Sequence, residues 1–331
     1  MENALRKNGF FWSVPVLAGL LLLGACGRTG KRVWKGRVET DIAKLKARLS
    51  LEREVDPETQ TAISRGTFAV FETRNAQKGK MIHLNVVVLH ATGPEPRPDP
   101  VFFLAGGPGA DISQGWKGYR KSWVREDRDI VLVSQRGTGG DNRLDCPKAA
   151  SDDNLQRYLD PLFDLEIFQD CLEELKSRFD LTQYSTFAAA DDLYEVRLAL
   201  GYDRINLIGG SYGTRMALVY MRQHPETVRT AILNGVAPIA FRNPLYHAPT
   251  AQEAIRLILA KCAADPECHA AYPDLEGEFL AVLDRLEKQP AEVMITHPVS
   301  KERVTVTLTR AAFAEALRTI MYSSATVRMV P

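Results

Sequence analysis

The chain has 331 residues, 45% of them hydrophobic and 25% charged, with a formal net charge of +1. That length suits one large domain or two small ones with an ample buried core. The balanced charge and the lack of a basic run argue against the phosphate-gripping surface of a nucleic-acid binder, so no nucleic-acid partner is expected.

At the N-terminus, Arg6 and Lys7 precede an apolar run from Phe10 to Leu23, which is short for a bilayer span. The run ends Leu23-Gly24-Ala25-Cys26. Small residues followed by cysteine resemble the lipobox of bacterial lipoproteins; the other reading is an ordinary signal anchor with an incidental cysteine. The resemblance implies that residues 1–25 are a lipoprotein signal peptide and that Cys26 carries the lipid. The expected location is the bacterial cell envelope, with the chain lipid-anchored to the membrane and facing the periplasm. Gly27 rather than aspartate follows Cys26, which points to the outer membrane. Residues 26–60 are expected to form a tether and an N-terminal helix. Val38, Ile42, Leu45 and Leu49 recur at the spacing of one helical face.

Besides Cys26 the chain holds Cys146, Cys171, Cys262 and Cys268. An even number in an exported protein suggests two disulfides, and sequence alone allows three pairings. Proximity favours Cys146–Cys171 and Cys262–Cys268. Cys268-His269 could be half of a metal site, but no second ligand pair has suitable spacing, so no metal is expected.

Residues 68–71 and 82–89 read as strands of a hairpin-like pair. Short runs that are apolar on both faces follow: Val101 to Leu104, Ile130 to Val133, Ile205-Asn-Leu-Ile208 and Ala231 to Leu233. Such runs suit the centre of a parallel sheet. Helical patterns lie between them, at about 112–125, 163–179, 187–200 and 213–223. Alternation of strand and helix makes the class α/β with a mostly parallel sheet over residues 61–240. From residue 241 to 331 the pattern is mainly helical, with one small hairpin, and reads as a cap.

The clearest chemical signal is Ile205-Asn-Leu-Ile-Gly-Gly-Ser211-Tyr-Gly-Thr. A strand, then G-x-S-x-G, then a helix is the context of a nucleophile elbow. The turn is tight, so Gly209 and Gly213 must lack side chains, and Ser211 is the candidate nucleophile. The helix N-terminus beside it favours developing negative charge. A plain glycine-rich turn is the alternative. A second signal is Leu104-Ala-Gly-Gly-Pro-Gly109, directly after a strand. Acyl transfer needs two N–H donors on the oxyanion. The expected donors are Tyr212 and Gly107, with Gly106 close behind.

Ala105-Gly-Gly-Pro-Gly, Val131-Leu-Val-Ser-Gln-Arg-Gly-Thr-Gly139 and Gly209-Gly-Ser-Tyr-Gly-Thr-Arg together resemble the prolyl iminopeptidase and tripeptidyl aminopeptidase-like family of α/β-hydrolases. The resemblance runs from about Gly66 to Tyr322 and includes Asp145-Cys146 and Lys261 to Cys268. It implies a serine peptidase that removes residues or short peptides from substrates with a free N-terminus, without metal or organic cofactor. Ala105 stands where prolyl iminopeptidases carry histidine, which moves the chain toward the tripeptidyl branch. Ser134 stands where related chains often have aspartate, in a loop read as scaffold.

In this fold the acid and the histidine of the triad follow the serine in chain order. The given sequence stops at Pro331, as the cap pattern ends, so the last strands of the sheet and the triad Asp and His are expected to be missing from it. Six histidines lie inside the chain: His83, His90, His224, His247, His269 and His297. They read as surface or structural groups. Asp191 and Asp192 read as helix caps or dipole partners. A serine without a base is a weak nucleophile, so this chain by itself is expected to be a poor catalyst. An esterase or lipase of the same fold and a non-catalytic peptide-binding lipoprotein are the alternatives.

Overall fold

The computed structural model describes residues 36–146, 154–161 and 165–330. The expected signal peptide and the lipidation candidate Cys26 lie outside the described residues. The main sheet contains β1 (Leu49–Val55), β2 (Ala62–Phe71), β3 (Met81–Leu89), β4 (Val101–Leu104), β5 (Ile130–Val133), β6 (Ile205–Gly210) and β7 (Val228–Asn234). Their spatial order is β1-β2-β3-β5-β4-β6-β7. The first three strands form an antiparallel meander, and β3 joins the rest antiparallel to β5. The other four run parallel.

The sequence explains this division. β5 is Ile-Val-Leu-Val with every residue buried, as a strand covered on both faces requires. In β3, Val86 and Val88 face one apolar cluster while Val87 and Leu89 face the other. This is the two-residue period of a pleated strand. β1 is mostly exposed and borders the sheet.

One face of the sheet is covered by α1 (Ile42–Ala47), α3 (Thr186–Ala199) and α4 (Tyr212–Gln223), through Leu45, Leu193, Val196, Met216 and Tyr220. The other face packs against Trp116 and Val124. The helix expected over 112–125 is instead a pair of 3-10 segments, Ile112–Tyr119 and Trp123–Glu126. Asp111 and Ser122 cap them with side-chain oxygens. The N-terminal helical pattern is also shorter than expected: α1 stops at Ala47, and Leu49 opens β1. The i, i+4 spacing of Leu45 and Leu49 reflects a helix-to-strand corner, since both residues pack on the same cluster. The sheet therefore begins at Leu49, inside the stretch expected to be tether and helix.

After β7 come α5 (His247–Ala264), α6 (Pro266–Ala271), α7 (Leu275–Lys288), the hairpin β8 (Ala291–Thr296) and β9 (Arg303–Leu308), and α8 (Arg310–Ile320). Asp265, Asp274 and Thr309 accept backbone N–H groups at the N-termini of α6, α7 and α8. Each such cap is worth about 1 kcal/mol. The hairpin docks on the 3-10 turn Leu155–Tyr158, where the Gln156 amide exchanges two hydrogen bonds with the Thr307 backbone, at 2.7 and 3.2 Å. Both expected disulfides form. Cys146–Cys171 ties the loop after β5 to α2 (Leu165–Arg178), and Cys262–Cys268 ties α5 to α6.

Asp191 and Asp192 do not cap α3. Ser185 does, accepting from Ala188 N–H at 3.3 Å. The aspartates lie further along the helix and are buried in an ion network. Arg136 grips Asp192 with two bonds of 2.7 and 2.9 Å, and Arg74 bonds both Asp192 and Glu195. Arg74 is 1% exposed, so its charge depends on these carboxylates. Burial pushes the Glu195 carboxyl above its ordinary range, and the Arg74 guanidinium opposes that push. The network joins α3 to the β2–β3 connection and to the loop after β5. Removing one partner of a buried ion pair strands the other charge. Asp192→Ala is therefore expected to lower the unfolding free energy by about 3–5 kcal/mol in a urea titration. Asp284→Ala, which breaks an exposed pair with Lys288 on α7, should leave the midpoint unchanged.

Candidate active site

Ser211 sits between β6 and α4 with φ 51° and ψ −119°. A non-glycine residue in that region is strained by roughly 1–3 kcal/mol, and such strain gathers at functional positions. The surroundings hold the turn in place. Ser211 N–H donates to Asn234 C=O at 2.9 Å, at the end of β7. Ser211 C=O accepts from Thr214 N–H at 3.0 Å and from Thr214 Oγ1 at 2.6 Å.

Gly209 and Gly213 are there because nothing larger fits. A Cβ on Gly209 would stand 2.4 Å from Gly213 O, and one on Gly213 would stand 2.2 Å from Leu104 O. Both contacts are with backbone, which has no room to give. Gly210, by contrast, has open space where a Cβ would go.

The strand register supplies the second half of the site. β4 pairs with β6 so that Leu104 lies opposite Gly209. The chain leaving β4 must then pass beside the turn that carries Ser211. A Cβ on Gly106 would lie 3.3 Å from Gly210 O and 3.5 Å from the Ser211 Cβ. Gly107 follows with φ +108°, a conformation that suits glycine. Among the described residues, neither Gly106 N–H nor Gly107 N–H donates to backbone. Tyr212 is the first residue of α4, where N–H groups have no partner within the helix. The Tyr212 hydroxyl is held against Thr186 at 2.8 Å, and burial raises its pKa, so the phenol stays neutral.

β4 is also where the sheet order reverses: the chain goes from β4 to β5 on one side and later to β6 on the other. Ligands of open α/β sheets bind outside the carboxyl ends of strands at such a switch point. A cavity of about 460 Å³ opens there, lined by Phe103, Ala105, Gly106, Tyr119, Gly210 and Asn234 among others. The Phe103 and Tyr119 rings pack at 4.7 Å and make its apolar wall.

Ser211 is exposed, and among the described residues its hydroxyl has no side-chain partner. The histidines have other company. His83 bonds Asp141 at 2.7 Å, and His90 bonds Ser64 at 2.8 Å. His224 meets Asp191 at 3.0 Å and stacks on Tyr194. His247 faces Phe241, and His297 accepts two N–H groups of its own turn. His269 lies on α6.

Sequence reasoning missed the scaffold of the glycine loop. Asp111 accepts from Ser113 Oγ at 2.6 Å and from Asn85 Nδ2 at 3.1 Å, which pins the loop to β3. Gly139 lets Asp111 approach, since a Cβ there would meet Asp111 Oδ2 at 2.4 Å. Ser134 is fully buried and bonds Asn85 N–H at 2.7 Å, which fits the scaffold reading of its loop. Among the described residues no group of three or more His, Cys, Asp or Glu is arranged to hold a metal.

The family model described as the alpha/beta hydrolase fold matches residues 99–267. The chain belongs to the α/β-hydrolase fold family. Curated relatives within it include a proline iminopeptidase of Neisseria gonorrhoeae, 29% identical over 137 residues, covering 41% of this chain and 32% of that protein. The serine protease Hip1 of Mycobacterium tuberculosis is 36% identical over 101 residues, covering 30% of this chain and 19% of that protein. The chain therefore spans about a third or less of the length of these relatives. Among solved structures, a proline iminopeptidase-related protein from Thermus thermophilus is similar at 20% identity and a TM-score of 0.30, covering 51% of this chain and 44% of that one. The peptidase-like serine hydrolase character of the motifs agrees with these relatives.

The elbow glycines can be tested as a pair. Gly213→Ala should destabilise the protein by about 1–3 kcal/mol through overpacking. Gly210→Ala should leave the thermal midpoint unchanged or slightly raised, because the new methyl meets nothing.

Proposed function

We propose that the protein is a cell-envelope serine hydrolase that removes residues or short peptides from the free N-termini of peptides. The observation that carries the reading is Ser211 itself: exposed, held at φ 51°, and placed beside the glycine loop after β4. In this reading Ser211 Oγ attacks the scissile carbonyl and forms an acyl-enzyme. The N–H groups of Tyr212 and Gly107 bind the oxyanion of the tetrahedral intermediate. Fixed backbone donors of this kind contribute about 3–4 kcal/mol each to catalysis. The cavity beside Phe103 and Tyr119 takes an apolar side chain of the substrate. Similarity to a proline iminopeptidase and a serine protease supports a peptide rather than an ester substrate.

Attack requires a base to take the serine proton. None of the described histidines is hydrogen-bonded to Ser211, which leaves that base unassigned. Without it, turnover should fall on the order of 10⁶-fold. The deciding experiment uses the protein purified from its own cells. A fluorophosphonate should label the peptide that contains Ser211, and peptidyl arylamides with a free amine should be cleaved faster than their N-acetylated forms. Equal cleavage of the two, or a folded protein with unlabelled Ser211, would overturn the reading.

The envelope location is part of the same proposal and rests on the Leu23-Gly24-Ala25-Cys26 sequence. Cys26→Ser should move the protein from the membrane pellet to the soluble fraction. Retention in the pellet would leave the lipid anchor without support.

A further inference from the structure

A second cleft, of about 420 Å³, lies where the β1–β2 turn, the end of β3 and the 3-10 pair after β4 converge. Leu89 at the end of β3 pairs with Ile130 at the start of β5, and Val101 at the start of β4 pairs with the same residue. The cleft therefore sits at the end of the sheet opposite Ser211, which follows the last residue of β6.

Its lining is strongly cationic. Arg53, Arg120, Lys121 and Arg125 contribute four positive charges, and no aspartate or glutamate lines it. Among the described residues none of these four forms an ion pair. Asp129, the carboxylate whose field reaches Arg125, is engaged elsewhere, by Ala91 N–H at 2.8 Å and the Tyr202 hydroxyl at 2.7 Å.

Arg125 is the anchor. It is only 6% exposed, yet its guanidinium bonds only two carbonyl oxygens, His90 O at 3.0 Å and Arg120 O at 2.6 Å. Its own C=O is held by Thr92 N–H at 2.6 Å and Thr92 Oγ1 at 3.0 Å. Backbone and side chain are thus both fixed. Nη2 makes no hydrogen bond and is not among the buried polar atoms left without one, so it keeps some exposure, and Arg125 is one of the residues that line the cleft. A buried cation without a carboxylate is expensive unless a counter-charge arrives. Burial accordingly pulls the Arg125 guanidinium below its ordinary value, with Asp129 opposing. Arg53 approaches from the sheet, opposite Ser64 in the register, while the hydroxyls of Thr59, Thr61 and Thr92 in the lining donate to neighbouring oxygens.

We propose that this cleft is a binding site for a phosphate-bearing anion, with Arg125 as the fixed anchor and Arg53, Arg120 and Lys121 closing around the charge. Guanidinium forks and an ammonium approaching from several sides suit a tetrahedral oxyanion. The phosphate could belong to a soluble phosphate ester or to a phospholipid headgroup, and the site chemistry is the same for both.

The test titrates the full 331-residue chain with pyrophosphate by calorimetry, and separately measures flotation with phosphatidylglycerol against phosphatidylcholine vesicles. The readout is the part of the anionic-over-zwitterionic excess that the variant loses, because Arg6 and Lys7 beside the apolar N-terminal run also favour anionic lipid. The variants are the exposed pair Arg53→Ala/Lys121→Ala, which should fold as the parent does, and Arg125→Gln. Saturable pyrophosphate binding weakened about tenfold or more in the exposed-pair variant, and weakened by added salt, supports the site with a soluble ligand. Excess flotation on anionic vesicles that the same variant loses, without binding of pyrophosphate, supports it with a headgroup. No saturable binding in either arm, or binding that survives the exposed-pair variant, overturns the proposal.

Discussion

The candidate-site end of the molecule depends on a backbone contact. Gly213 in the first turn of α4 rests against the Leu104 carbonyl at the end of β4. The approach is close enough to exclude even a methyl group. It sets how far α4 sits from the sheet, and so forces Ser211 into its positive-φ turn. It also brings the glycine loop after β4 within van der Waals range of the serine. A serine hydroxyl, a helix N-terminus and free loop N–H groups are thereby collected at one point by packing. Fixed donors gathered in this way are the kind of preorganisation that an oxyanion-binding site requires.

Charge does the corresponding work on the far side of α3. Arg74 and Arg136 come from segments more than fifty residues from Asp192, yet meet it in a nearly dry interior. Such networks add little net stability compared with apolar packing, but breaking one partner is costly. Their use here is positional. The Gln-Arg-Gly-Thr-Gly loop after β5 is clamped to α3 through Arg136, and Gly139 in that loop backs Asp111, which pins the glycine loop of the site.

Much of this was legible in the sequence because it depends on local pattern. Short, largely apolar runs marked the parallel strands, G-x-S-x-G marked the elbow, and cysteine proximity pointed to both disulfides. What was not legible depends on distant partners or on corners. Asp191 and Asp192 looked like ordinary helix-terminal acids because their arginines lie far away in the chain. Leu49 kept helical spacing although the chain had already turned into a strand, since helix and strand bury against the same cluster. The 3-10 segments after β4 carried an amphipathic pattern but too many glycines, at 115 and 118, for a sustained α-helix.

The elbow is also anchored on its outgoing side. Thr214 Oγ1 accepts from Ala237 N–H at 2.8 Å, and Arg215 reaches the carbonyls of Pro238 and Phe241 at 2.9 and 2.7 Å. Those residues are the lead-in to the helices that follow β7. The first turn of α4 is therefore a shared fulcrum: it carries the serine on one side and the root of the helical segment on the other. A rigid swing of that segment would act as a lever on the serine's own turn. Movement of the helical region would then be felt at Ser211 directly through the Thr214 and Arg215 side chains.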